Sequence, residues 1–311
     1  MTLPGTPAPA ATPAAPPSYE DMFTRNIGFV DENEQALLRA TRVAVCGVGG
    51  MGGVIAQVLA RAGVGSLAVL DKDTFEPSNN NRQVYAHTGT WGRSKVDVTA
   101  DELRRINPEI VVRAFDHFGA DNVDDVLDGV DVVVNGMDEL PACLRLWRAA
   151  RERGLPLCDA WSAPLPNVFV LRPGDPLPEE FLEYPTRGLP PDQLSPEVVD
   201  ECKLREALHV SLHSRALRYL DFDIVKEIMT GRRARISFAP MVWGAGLMMA
   251  WEALKIRLAR GRVASRFGTF WDPWRGGTRA ARGFSGVELA IIRHALALRA
   301  RWASNGNGSR P

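Results

Sequence analysis

Two rhythms of apolar and polar positions run through residues 19–171. The short stretches Arg42–Cys46, Ser66–Leu70, Ile110–Phe115, Val130–Asn135, Leu155–Cys158 and Val168–Leu171 are largely aliphatic and β-branched, the pattern of buried strands. Between them lie segments of helical period: Glu32–Thr41, Val54–Ala62, Ser94–Ile106, stopped by Asn107 and Pro108, and Leu140–Arg153, closed by Gly154. Strand and helix in alternation predict an α/β fold, a Rossmann-like, doubly wound, mostly parallel sheet. After Arg172 the texture changes. Seven prolines fall in residues 173–196 and predict an irregular excursion. Glu197–Thr230, Met241–Arg260 and Ser285–Trp302 then read as three helices, a C-terminal helical extension.

Composition sets the limits of this domain plan. With 311 residues, 45% apolar and 24% charged, the chain can bury a sizeable core. Residues 1–18, rich in Pro, Ala and Thr, read as a disordered leader, and 304–311 as a disordered tail. That leaves a nucleotide-binding domain over 19–172 and a region, 173–303, packed on the same domain. The leader has neither a basic start nor an apolar core, so it is no signal peptide. No run of 18 apolar residues suggests a membrane span. Cys46, Cys143, Cys158 and Cys202 form no C-x-x-C pair, which argues against structural zinc and for a reducing, cytoplasmic setting. Net charge is zero, yet residues 253–311 carry twelve Lys/Arg against Asp272 and Glu288. That basic end reads as a solvated helix face and a frayed tail rather than a nucleic-acid surface.

The chemistry begins at the turn after Cys46. Gly47, Gly49 and Gly52 satisfy G-x-G-x-x-G, with Gly50 between them. Glycines let backbone approach a phosphate, and the next helix turns its unpaired N–H groups toward it. Asp71, closing the second strand, supplies a ribose acceptor. These features fit NAD(P) and ATP equally. Asn79, Arg82, Gln83 and Lys95 follow, and the cations suit charge developing at an α-phosphate and on departing pyrophosphate. Asp138, at the carboxyl end of a later strand, could hold Mg²⁺ together with phosphate oxygens.

In these residues, from about Phe23 to Val170, the chain resembles the ubiquitin-activating-enzyme-like superfamily, the ThiF/MoeB/HesA proteins. The shared elements are the turn Gly47–Gly52, Asp71, the Ser78-Asn79-Asn80-Asn81-Arg82-Gln83 segment, Lys95 and Asp138. The resemblance implies an ATP- and Mg²⁺-dependent adenylyltransferase. It would activate a carboxylate, a peptide or ubiquitin-like protein C-terminus or a small-molecule acid, as acyl-AMP with release of pyrophosphate. It implies that Gly49 and Asp71 hold adenosine and ribose, that Asn79, Arg82, Gln83 and Lys95 grip the triphosphate, and that Asp138 holds Mg²⁺. It also implies that Arg25 reaches ATP in the partner subunit of a homodimer, although Asn26 stands where a Gln is usual.

The chain departs from that family where many members carry two C-x-x-C zinc pairs and a Cys-Thr nucleophile. Cys202 lies within the replacement region; Lys203 favours a thiolate there, while Asp200 and Glu201 oppose it. The expectation is a branch in which a nucleophile attacks the acyl-adenylate directly. Cys158 reads as a buried small hydrophobe. His209 and His213, sharing a helix face with Cys202 and Glu206, read as packing or surface residues, and Trp271 and Trp274 as covering an apolar edge. Two other functions remain open: an NAD(P)-dependent oxidoreductase, supported by the glycine turn and Asp71 alone, and a Rossmann-derived binding or scaffold protein.

Overall fold

The computed structural model describes residues 17–229, 232–233, 236–290 and 294. The leader up to residue 16, the tail, and nearly all of the helix expected beyond residue 290 lie outside them.

One eight-stranded sheet organises the molecule, in the order β3-β2-β1-β4-β5-β6-β7-β8. Its strands are β1 (Arg42–Cys46), β2 (Ser66–Leu70), β3 (Val111–Phe115), β4 (Val132–Asn135), β5 (Leu157–Asp159), β6 (Asn167–Leu171), β7 (Thr269–Asp272) and β8 (Gly277–Ala280). The pairs from β3 to β5 are parallel, and those from β5 to β8 antiparallel. Chain length explains the change. Only residues 160–166 join β5 to β6, too few for the dozen or more that a parallel crossover needs. β1 is central because Val43 to Cys46 have no exposed face, and Val132, Val133 and Val134 of β4 are equally enclosed. The chain runs outward from β1 through β2 to β3 and then crosses back to β4 on the other side of β1, so the sheet's switch point lies at the carboxyl ends of β1 and β4.

The helices are α1 (Tyr19–Phe23), α2 (Glu32–Ala40), α3 (Gly50–Arg61), α4 (Lys95–Ile106), α5 (Val123–Leu127), α6 (Leu140–Glu152), α7 (Pro178–Phe181), α8 (Pro196–His213), α9 (Phe222–Met229) and α10 (Ala239–Arg257). Capping decides several of their starts: Asp31 and Glu34 form a reciprocal box at α2, and Ser94 accepts from the Asp97 N–H at α4. α10 lies across α3, and Gly246 permits the approach: a Cβ there would stand 2.9 Å from the Met51 carbonyl oxygen. On the same helix a Cβ on Gly244 would stand 2.8 Å from the Pro166 ring, just before β6.

Several sequence expectations need correction. α3 starts at Gly50, inside the glycine turn, not at Val54. The helix expected over Glu197–Thr230 is broken into α8, a 3-10 turn at Ala216–Tyr219, and α9. Ser214 leaves helical geometry with ψ 173°, Ala216 enters the core, and Asp221 Oδ1 accepts from the Asp223 and Ile224 N–H groups at the start of α9. The Pro-rich excursion is not irregular throughout. It contains α7, and its Leu177, Leu182 and Tyr184 are buried. Arg148 of α6 clamps it, donating to both Glu179 carboxylate oxygens and to the Thr186 and Leu189 carbonyls. The β7–β8 hairpin was missed, because Pro273, Gly276 and Gly277 punctuate its two four-residue strands and β8 is exposed throughout. Trp274 caps no apolar edge: it is 74% exposed at the hairpin turn, with its ring 6.3 Å from Tyr219.

Candidate nucleotide site

The site begins where β1 and β4 end side by side. Gly47 takes φ +88°, and a Cβ there would lie 2.7 Å from the Gly136 carbonyl carbon and the Met137 nitrogen. A Cβ on Gly52 would fall 1.7 Å from the Gly47 carbonyl oxygen. Neither position tolerates a side chain. Their absence lets the β1–α3 turn, the N-terminus of α3 and the turn after β4 close on one another. The Gly47 N–H donates to the Leu70 carbonyl at 2.7 Å, and the Gly136 N–H to the Cys46 carbonyl at 2.6 Å. The β4 turn carrying Asp138 is thereby held against the glycine turn.

Asp71 follows β2 and spans the same region. Its Oδ2 accepts from the Val48 N–H at 2.9 Å, and Oδ1 from the Asp73 N–H at 3.0 Å. Burial raises its pKa above the usual carboxylate value, and Lys95 and these two donors oppose that rise. The Lys95 ammonium is buried, donates to Asp73 Oδ2 at 2.8 Å and lies 4.0 Å from Asp71 Oδ1. Asp73, which sequence reasoning passed over, is therefore the direct partner of Lys95. A cleft of about 470 Å³ opens beside this pair, with Asp71, Ser94, Phe115, His117 and Asn122 among its walls.

The Asn79–Gln83 segment supplies the opposite wall. Gln83 is buried, with Nε2 3.7 Å from where a Gly49 Cβ would be, and its Oε1 has no hydrogen-bond partner within the protein. Arg82 donates from Nη1 to the Ser78 carbonyl and Asn81 Oδ1, and its own carbonyl accepts from Trp243 Nε1 of α10 at 2.7 Å. Its side chain runs 3.6 Å from a Cβ built on Gly50. Asn79 closes its own turn, accepting from the Glu76 N–H at 3.1 Å.

Asp138 is exposed just past β4. Lys72, from the end of β2, donates to the neighbouring Glu139 at 2.6 Å and feels the charges of Asp73 and Asp138. Arg25 is the one predicted residue that the fold does not bring to this cluster. It lies exposed beside Asn26, whose amide donates to the Ala62 carbonyl, beyond the far end of α3. Twelve helical residues separate that end from the glycine turn, about 18 Å.

Sequence reasoning missed a buried polar group beneath the β4 turn. Asp159, closing β5, accepts from Asn135 Nδ2, from Trp147 Nε1 and from the Ala160 N–H. Burial raises it to about 7. The available signal was a polar residue ending each of two neighbouring apolar strands. The four cysteines are all buried. Burial pushes Cys202 up to about 12, with Glu206 and Glu201 adding to the rise, so it holds almost no thiolate at neutral pH. Burial likewise holds Cys158 well above the usual thiol value. His209 and His213 are buried and bound to backbone carbonyls, of Phe267 and His209 respectively. Among the described residues no three His, Cys, Asp or Glu side chains cluster to hold a metal ion, and no helix is long and apolar enough to cross a membrane.

Over 143 residues the chain is 34% identical to a tRNA threonylcarbamoyladenosine dehydratase of Bacillus subtilis, covering 45% of this chain and 56% of that one. Over 85 residues it is 45% identical to a molybdopterin-synthase adenylyltransferase of Escherichia coli, covering 27% of this chain and 34% of that one. The chain thus spans about half or less of the curated relatives it matches. In fold it is similar to Escherichia coli MccB, with TM-score 0.59, 18% identity, and coverage of 86% of this chain and 73% of that one. The ThiF family model matches residues 23–282, which include all eight strands of the sheet and the glycine turn: the chain belongs to the ThiF family.

Proposed function

We propose that this protein is an ATP-dependent adenylyltransferase that activates a carboxylate as acyl-AMP. The observation that carries the proposal is the cationic and amide lining around the glycine turn: Arg82 beside Gly50, the Gln83 amide nitrogen beside Gly49, and Lys95 set behind Asp71 and Asp73. A dinucleotide redox enzyme has no use for that lining, whereas a triphosphate does. Family membership supports the same reading, and one relative is by name an adenylyltransferase. In the reaction, a carboxylate oxygen of the acid bonds to the α-phosphorus while the bond from that phosphorus to the bridging oxygen of the β-phosphate breaks. The electron pair leaves with pyrophosphate, and Arg82 and Lys95 face the charge that develops. Asp71 and the cleft beside it would take the nucleoside. Asp138 would hold Mg²⁺, which supplies neutralising charge to the phosphate oxygens. With Cys202 protonated, an amine, thiol or hydroxyl nucleophile attacks the acyl carbon directly, the bond from that carbon to the phosphate oxygen breaks, AMP leaves with the electron pair and the nucleophile gives up its proton.

Arg25 belongs to this reading only through a second subunit. Trp243, Leu247 and Trp251 expose an i, i+4, i+8 stripe on α10. Phe29, 66% exposed, packs on Trp251 and continues the stripe toward Ile27 and Arg25. We read this stripe as a homodimer interface, across which each Arg25 would be carried toward the other subunit's site. We infer that residues 19–172 carry the nucleotide chemistry and residues 173–303 receive the acid. The acid is a peptide or small-protein C-terminus or a smaller carboxylate, and the protein works in the cytoplasm. Equilibrium dialysis tests the core reading: ATP with Mg²⁺ binds in the micromolar range and NAD⁺ or NADP⁺ does not. Dinucleotide binding without ATP binding sinks the proposal.

A further inference from the structure

Resting on the reading of Asp138 as the residue that holds Mg²⁺, we propose that Asp159 is the positioning residue for the Asp138 turn and acts through Asn135. The strand register sets up the contact. Val134 pairs with Cys158 across β4 and β5, so Asn135 and Asp159 end neighbouring strands side by side. Both are almost fully buried, 1% and 4% exposed. Asp159 Oδ2 accepts from Asn135 Nδ2 at 2.8 Å and from Trp147 Nε1 at 2.7 Å, and Oδ1 accepts from the Ala160 N–H at 2.7 Å. In its ionised form Asp159 can only accept, so the nitrogen of the Asn135 amide faces it, the orientation that the Met137 N–H, itself only a donor, also requires. That fixes the amide's orientation and turns Oδ1 the other way, where it accepts from the Met137 N–H at 3.1 Å. Cys143 adds contacts on the same turn, its sulfur 3.3 Å from Asn135 Nδ2 and 3.8 Å from the Met137 carbonyl.

The relay therefore ends on the backbone one residue before Asp138. Trp147 ties it also to α6, which begins two residues after Asp138. A buried polar group serving stability alone would need only partners. This one selects between two orientations of an amide, and only one of them holds the Met137 N–H. Asp159 is too deeply buried to meet substrate itself. Outer residues that orient metal-holding groups change metal affinity by about 10- to 100-fold when they are lost.

The test is calorimetric titration of the full chain with ATP, first in EDTA and then across a series of Mg²⁺ concentrations. For Asp159→Asn, which removes the negative charge that the Asn135 amide nitrogen faces, the Mg²⁺ concentration giving half the gain in ATP affinity should rise by about 10- to 100-fold. ATP affinity in EDTA should stay within about twofold of wild type. A wild-type Mg²⁺ response, or an equal loss of metal-free ATP binding, overturns the proposal. Asn135→Ala leaves Asp159 its Trp147 and Ala160 donors, should show the same selective loss, and carries the test if Asp159→Asn does not fold. Asp138→Ala separates the two layers. If it keeps the wild-type Mg²⁺ response, the reading of Asp138 fails. If it loses that response while Asp159→Asn and Asn135→Ala keep theirs, only the positioning role fails.

Discussion

Gly47, Gly52 and Gly136 meet backbone to backbone, and the site exists because none of them carries a side chain. The sequence motif marked two of the three. Gly136 stood unnoticed because it belongs to a turn that is distant in sequence and close only after β1 and β4 pair. Asp71, Gln83 and Lys95 were legible because each follows the motif at short range. Asp73 and Asp159 were not, since a lone carboxylate discloses neither its burial nor its partners until the strands are in register. Cysteine chemistry belongs to this scale as well. Burial raises Cys46 and Cys202 to about 12 and holds Cys143 and Cys158 well above the usual thiol value. Brief iodoacetamide treatment at pH 8 should label none of the four in the native protein and all four after denaturation, as read by intact mass. Rapid native labelling of Cys202 contradicts the direct-transfer reading.

Elements carry a different lesson. Strands β1 and β2 match their sequence expectation residue for residue, because a short aliphatic run between turn signals has few ways to be buried. The region after residue 172 was less legible, since its packing rests on contacts between segments rather than on period. α8 shows this. Its Glu206 accepts from the Tyr184 hydroxyl at 2.6 Å, joining the helix to the excursion, and burial raises the carboxyl to about 7. A carboxyl whose folded-state value lies above its unfolded value stabilises fully below the unfolded value, and that stability is lost as pH rises through the folded one. Glu206 therefore favours folding near pH 4 and withdraws that support by about pH 7. His209, lowered to about 4 by burial, runs the other way: its contribution is present above the ordinary histidine value and is lost as pH falls toward 4. The melting temperature of Glu206→Gln relative to wild type should accordingly rise between pH 5 and pH 8. A difference, variant minus wild type, that stays constant or falls over that range would show that Glu206 is not held protonated in the fold.

At the scale of the whole molecule, one continuous sheet supports two unlike regions. Parallel strands place the glycine turn and the strand-end aspartates at one switch point, and the antiparallel strands β6 to β8 carry the later segments alongside. The exposed stripe of α10 runs beside the site, since Trp243 donates directly to the Arg82 carbonyl. Leu247→Arg on that stripe should convert a dimer to a monomer in sedimentation velocity and lower adenylylation by removing the partner's Arg25; a monomeric wild type contradicts the shared-site reading. The most direct measurement of the central claim is ATP–pyrophosphate exchange, with peptides and small acids offered as carboxyl donors. The account predicts exchange that requires an added carboxylate and disappears in Arg82→Ala and Asp138→Ala while both variants keep wild-type melting curves. Undiminished exchange in both variants would contradict it.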